Sequence, residues 1–229
     1  MPTPLNDALV RARLTRFIAD RGFAPDNAQL AREFKCETAD VENSLKRLHA
    51  SHGVVLHPEA CGCKLWLVHP FALWPGPCFV QTARQSWWSN CIWCSLGIAA
   101  MVKEDTTIHV RLGGEAEQVT IRMQGGRLLD QDYLVHLVVP VAQFWDNVVF
   151  TCGNMLPFRT ETDIDDWCRR HNVARGYVMP LETMWRLASN WYGDWLAPEW
   201  RRKTPAEAKA TFEQLGLTGP FWSLDPAWK

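Results

Sequence analysis

The sequence lacks the features that would place it on a membrane or on nucleic acid. Lys and Arg number 24 against 25 Asp and Glu, a formal net charge of -1, so the chain has no overall attraction for an anionic surface. No stretch approaches the roughly 18 apolar residues of a membrane span. No basic segment followed by an apolar one opens the chain. We therefore expect a cytoplasmic protein with no membrane partner, and nucleic acid is a disfavoured partner.

Cysteine is too scarce for a scaffold built on disulfides. Eight cysteines occur in 229 residues, and without an export signal we expect their thiols to stay reduced. Reduced thiols bind metals or take part in chemistry. The eight are Cys36, Cys61, Cys63, Cys78, Cys91, Cys94, Cys152 and Cys168.

The remaining composition is that of an ordinary globular protein, with 47% hydrophobic and 21% charged residues. The length allows a small domain joined to a larger one. We predict an α+β fold in three parts. A winged-helix-like helical unit covers residues 1–70, a mostly antiparallel sheet with flanking helices covers 71–180, and a helical extension covers 181–229.

The first part is predicted to contain three helices and a two-stranded wing, from its apolar spacing and its capping residues. The helices cover 5–21, 26–35 and a segment from Thr38 to just before Gly53, and the strands cover 54–57 and 64–68. Such a unit often binds DNA. Residues 1–53, however, carry eight Lys and Arg against seven Asp and Glu, which leaves only +1. A scaffold that packs on the second part is the favoured interpretation.

The second part changes to short β-prone segments separated by turns, which predicts hairpins. The predicted strands cover 79–82, 106–112, 118–123, 133–139 and 148–151. Helices are expected from near Cys91 and over 160–171, 181–195 and about 205–215. Thr204, Pro205 and Glu207 form a capping signal for the last of these helices.

Tryptophan is abundant, with thirteen residues in the chain. Many lie in the predicted extension, where large rings bury much apolar area. We assign them a packing role. They are Trp185, Trp191, Trp195, Trp200, Trp222 and Trp228.

Cys91 and Cys94 are three residues apart, where a strand-like segment passes into an apolar helix. The N-terminus of a helix favours a thiolate, so we expect lowered thiol pKa values there. The same spacing occurs in zinc sites and in redox enzymes. A zinc site would need a second pair, and Cys61 and Cys63 are poorly spaced for it. A thioredoxin-like site would need a parallel βαβ unit, which the hairpins do not offer.

Two segments resemble the active-site motifs of the organomercurial (alkylmercury) lyase family. The segment 87–98 contains Cys91 and Cys94 after an aromatic and polar lead. The segment 148–152 ends at Cys152, and Asp166-Trp167 follows fourteen residues later. The resemblance extends loosely to His69-Pro70-Phe71 and covers about residues 5–180. The rest looks like longer members of the same superfamily.

This resemblance implies an enzyme that cleaves a carbon–mercury bond by protonation, with Cys91, Cys94 and Cys152 as its catalytic and metal-binding residues. Mercury is soft and prefers thiolate ligands. No cofactor is expected, since Hg(II) or another soft metal would be a substrate or product ligand. The expected partners are a small organometallic or other soft electrophilic substrate, and cellular or protein thiols that remove the product.

The sequence departs from the family pattern at Cys94, where the family has an aspartate. A carboxyl is the stronger acid, with a reference pKa of about 3.9 against about 8.5 for a thiol. Cys94 could pass a proton as it becomes a third metal ligand. Alternatively, three thiolates could hold the metal without turnover, as in a soft-metal trap or a metal-responsive regulator.

Other polar and thiol residues are expected to have structural roles. We predict that the three aspartates near the start of the helix over 160–171 cap and solvate it, that two histidines pack or lie at the surface, and that three cysteines are buried small residues. These residues are Asp163, Asp165 and Asp166, His109 and His136, and Cys36, Cys78 and Cys168.

Overall fold

The computed structural model describes residues 4–59, 62–197 and 199–224. Its helices are α1 Asp7–Arg21, α2 Asn27–Phe34, α3 Thr38–Ala50, α4 Ile92–Val102, α5 Val148–Gly153, α6 Glu161–His171, α7 Leu181–Tyr192 and α8 Pro205–Gln214. Its strands are β1 Val55–Leu56, β2 Leu65–Val68, β3 Phe71–Ala72, β4 Cys78–Gln81, β5 Ser86–Ser89, β6 Thr106–Arg111, β7 Gln118–Gln124, β8 Arg127–Leu128, β9 Leu134–Leu137, β10 Met155–Phe158 and β11 Tyr177–Pro180. The α+β prediction is confirmed.

Helix ends follow their local capping signals. Helix α1 ends at Gly22, which adopts the left-handed conformation that glycine best allows. Asp26 and Gln29 cap α2 reciprocally. Thr204 and Glu207 do the same for α8. These ends are predictable from sequence because each depends on residues within one turn of the chain.

The larger sheet has eight strands in the order β1-β2-β3-β5-β4-β6-β7-β8, and every pairing is antiparallel. The predicted wing, β1 and β2, joins it through the pairing of Val68 with Phe71. The sheet therefore continues across the boundary predicted at residue 70. The division into three parts, and the winged-helix likeness of the first, stay predictions.

The smaller sheet has β9 between β10 and β11, again antiparallel. Helix α4 lies in the core beside it, with every residue from Ile92 to Met101 buried. Helix α7 packs on α4 so closely that a Cβ atom built at Gly97 would lie 2.4 Å from the Tyr192 ring. No helix among the described residues is long and apolar enough to cross a membrane.

One predicted strand is wrong. Residues 148–151 form the start of helix α5 instead. The β-branched valines favour a strand, but the Asn147 side chain accepts a hydrogen bond from the backbone N–H of Phe150 at 3.0 Å and caps a helical turn. The turn carries Cys152 into the protein interior, where it is 6% exposed.

Candidate active site

Cys91 and Cys94 lie where strand β5 passes into helix α4. Cys91 is the N-cap residue, and its sulfur accepts a hydrogen bond from the backbone N–H of Cys94 at 3.2 Å. Capping turns both side chains toward the first turn of the helix. Ser95 donates to the Cys91 carbonyl at 2.9 Å, which holds this turn from the other side.

Cys152 reaches the same place from helix α5. Its side chain lies within hydrogen-bonding distance of the thiols of both Cys91 and Cys94. The three side chains are 0%, 2% and 6% exposed for Cys91, Cys94 and Cys152 respectively. The structure thus brings together three thiols that are up to 61 residues apart in the chain.

The expected lowering of the thiol pKa values is wrong for this structure. Burial raises the pKa of Cys91 well above its ordinary value, and it outweighs the favourable N–H of Cys94. Hydrogen bonding to Cys152 and burial raise the pKa of Cys94, and hydrogen bonding to Cys91 and burial raise that of Cys152. All three thiols are therefore protonated at neutral pH. An electrophile or metal that binds a sulfur displaces its proton.

His69 is a site residue that the sequence interpretation missed. A ring nitrogen of His69 and the sulfurs of Cys94 and Cys152 all lie within 4.8 Å of one another. Burial, with the charges of Arg11 and Arg202, lowers the pKa of His69 to about 4, so its ring is neutral. Its Nε2 has no hydrogen-bond partner. The only signal in the sequence was the loose family likeness of the segment 69–71.

Cys94 and Cys152 line a pocket with aromatic walls. The Tyr192 hydroxyl hydrogen-bonds with Cys94, and Trp93 meets the Trp191 and Tyr192 rings edge to face. Several walls therefore come from the extension to which we assigned only packing. The aromatic lining residues are Trp93, Phe144, Trp145, Trp191, Tyr192, Trp195, Trp200 and Phe212.

None of the other described cysteines, apart from Cys91, Cys94 and Cys152, is grouped with the site, and none of them lines the pocket. All seven cysteines within the described residues are free, and Cys61 lies outside those residues. Cys78 and Cys168 are buried as expected, whereas Cys36 is only partly buried. Cys63 lies outside the group of possible metal ligands formed by His69, Cys94 and Cys152.

The structural roles predicted for His136 and for the three aspartates agree with their hydrogen bonds and ion pairs. His136 is buried, and its Nε2 accepts from the backbone N–H of Gly176 at 3.1 Å. The side chain of Asp163 accepts from the N–H of Thr160 at 3.0 Å and caps α6. Asp165 and Asp166 pair with arginines at the surface.

Comparison with known proteins identifies the family of this chain. The family model for alkylmercury lyase, MerB, matches residues 71–193, more than half of the chain. The solved mercury-bound form of MerB2 matches with a TM-score of 0.64 and 19% identity, over 82% of this chain and 91% of that chain. No curated protein matches the sequence. The chain belongs to the alkylmercury lyase family.

Proposed function

We propose that this protein is an organomercurial lyase-like enzyme, which cleaves a carbon–mercury bond, or another bond between carbon and a soft metal or metalloid. One observation carries the proposal: three buried thiols meet, and two of them, Cys94 and Cys152, line an aromatic pocket. Thiolates are the ligands that mercury prefers. The aromatic walls offer an apolar site for the organic group.

The first proposed step is thiol exchange. An organomercurial that arrives as a thiol adduct, R–Hg–SR′, exchanges its thiolate for Cys91. The Cys91 proton leaves with the released R′SH. Coordination by Cys152 then adds electron density to mercury, which weakens the carbon–mercury bond and makes the carbon basic.

The second proposed step is proton transfer to carbon. Cys94 occupies the acid position, and its thiol becomes more acidic as its sulfur approaches mercury. The proton that Cys152 loses on coordinating mercury replaces the proton that Cys94 gives to carbon. Overall, R–Hg–SR′ and the thiols of Cys91 and Cys152 give R–H, R′SH and Hg(II) held by the Cys91 and Cys152 thiolates. All three thiol protons are thereby accounted for, and cellular thiols can then remove the metal.

The test is hydrocarbon release from the whole protein. Incubation with phenylmercury and excess thiol should release benzene, measured by headspace gas chromatography. Cys91→Ser and Cys152→Ser should abolish release, because serine is a poor ligand for soft mercury. Cys168→Ser is the matched control, since Cys168 is a buried thiol beside His136 and outside the cluster. Stoichiometric mercury retention without benzene would exclude the lyase.

A second candidate function is a soft-metal trap or metal-responsive regulator without turnover. The grouping of His69 with Cys94 and Cys152 favours it, because thiolates and imidazole together hold Zn(II) and related ions in structural sites. The trap predicts one tightly held metal per chain and no product. Metal content after dialysis against a thiol, measured beside benzene release, separates the two functions.

A further inference from the structure

The pocket that opens from the thiols has a marked excess of positive charge. Arg11, Arg202 and Lys203 line it, and no aspartate or glutamate is among its described lining residues. Hg(II) held by two thiolates is neutral in charge, so the metal itself provides no counter-charge for these cations. The cations therefore require a different explanation.

Arg11 is the buried member of this set. It is 7% exposed, and its guanidinium carbon lies 4.4 Å from the Trp195 ring centre and 4.1 Å from that of Trp200. These cation–π contacts cover the guanidinium but leave N–H groups at its edge. The buried Nε has no hydrogen-bond partner, and Arg11 forms no ion pair with a described acidic residue.

The charge of Arg11 persists at neutral pH, because burial lowers its pKa only to about 9. Packing between α1 and the extension explains the two indole contacts. It does not explain why a cation, rather than an apolar side chain, lies there, since a buried charge is costly unless it is paired. A ligand that supplies the missing negative charge resolves this.

Arg202 and Lys203 extend the positive region toward the exposed end of the pocket. Arg202 is exposed, and it donates to the Ser51 carbonyl at 2.9 Å through one nitrogen, which leaves further N–H groups for a ligand. The charges of Arg11 and Arg202 both lower the pKa of His69, which lies beside the thiols. The positive region is therefore close to where the metal would bind.

We propose that the pocket selects substrates whose organic group carries a carboxylate, with Arg11 as the residue that binds it. This inference rests on the proposed function, in which the thiols hold the metal end of the same molecule. Arginine matches a carboxylate through two parallel N–H donors. One buried guanidinium balances one carboxylate charge, and the aromatic walls contact the hydrocarbon between the two ends.

Binding of benzoate and of its neutral analogue benzamide tests the anion site without mercury. Tryptophans line the pocket, so quenching of their fluorescence reports binding. We expect benzoate to bind about ten-fold more tightly than benzamide, the factor of one charge-assisted hydrogen bond. Arg11→Met should remove this preference. Arg16→Met is the matched control, because Arg16 also joins α1 to the extension, at the Leu196 carbonyl, without lining the pocket.

A kinetic comparison links the anion site to the thiols. The ratio of kcat/KM for 4-(hydroxymercuri)benzoate to that for phenylmercury should exceed one, and Arg11→Met should reduce it about ten-fold. If Arg11→Met does not fold, Arg202→Met takes its place in this comparison. It should also lower the ratio of the two kcat/KM values. Equal binding of benzoate and benzamide would overturn the proposal. Tighter binding of benzoate than of benzamide, with no hydrocarbon released from either organomercurial, would support the anion site. The same result would contradict the proposed lyase activity.

Discussion

At the scale of single residues, the proposed mechanism makes Cys94 the acid that sets the rate of carbon–mercury cleavage. Cys94→Asp should raise benzene release at least ten-fold, because a carboxyl donates a proton more readily than a thiol, with reference pKa values of about 3.9 and 8.5. Burial raises the pKa of an aspartate here, which leaves it a useful acid near neutral pH. Headspace chromatography of the variant and the wild type measures the effect.

Cys94→Asn is the control for this substitution, since it has the shape of aspartate without the acidic proton. It should bind mercury through Cys91 and Cys152 and release no more benzene than the wild type. If benzene release by Cys94→Asp stays at background although Cys91 and Cys152 still bind mercury, the lack of a carboxylic acid does not explain slow cleavage.

Residues of the site differ in how far the sequence could reveal them. Cys91, Cys94 and Cys152 could be named from the sequence because each lies in a local motif that resembles the family, and their catalytic roles stay a prediction. Arg11 lies in no such motif, and His69 lies only in the loosely similar segment 69–71. Both residues reach the pocket through the fold. The raised thiol pKa values were also missed, because a helix terminus is visible in sequence whereas burial is not.

At the scale of elements, the contact between α4 and α7 holds the wall of the pocket. Gly97→Ala should lower the free energy of unfolding by about 1–3 kcal/mol, because the new methyl group would lie 2.4 Å from a Tyr192 ring carbon. The better helix propensity of alanine, about 1 kcal/mol, offsets only part of this. Urea denaturation measures the change.

Gly153→Ala is the matched control, since no atom lies within 4 Å of the position of its Cβ. It should leave the urea midpoint unchanged or slightly raised. An equal loss in both variants would mean that the α4–α7 contact is less tight than the structure indicates.

Elements with their own caps were predictable, but those specified by distant partners were not. Helix α6 was expected over 160–171, and its Thr160 cap accounts for where it begins. Strands β10 and β11 were missed, because each pairs only with β9, at least 18 residues away in the chain. Helix α5 was taken for a strand because its valines outweighed the capping asparagine in the sequence pattern.

At the scale of the whole molecule, two buried histidines should make the protein sensitive to acid. Burial lowers the pKa of both His69 and His136 to about 4, against about 6.5 when unfolded. The unfolded chain therefore binds protons first as the pH falls from 6.5 to 4, and the free energy of unfolding falls over that window. At pH 5 the loss is about 2 kcal/mol for each histidine.

Urea midpoints at pH 7 and pH 5 measure this loss. His136→Gln, which keeps a polar side chain at a position that does not line the pocket, should reduce the difference between the two midpoints. An unchanged difference would show that the surface carboxylate–arginine pairs, rather than this histidine, govern the acid response.

The strands of the predicted wing share one hydrogen-bonded sheet with those that lead to the thiols. Folding of the two regions is therefore expected to be cooperative, with the first helices and the cysteine-bearing core lost together on heating. Mercury bound at the sulfurs would then stabilise parts of the chain that it never touches, because a ligand of the native state stabilises the whole cooperative unit.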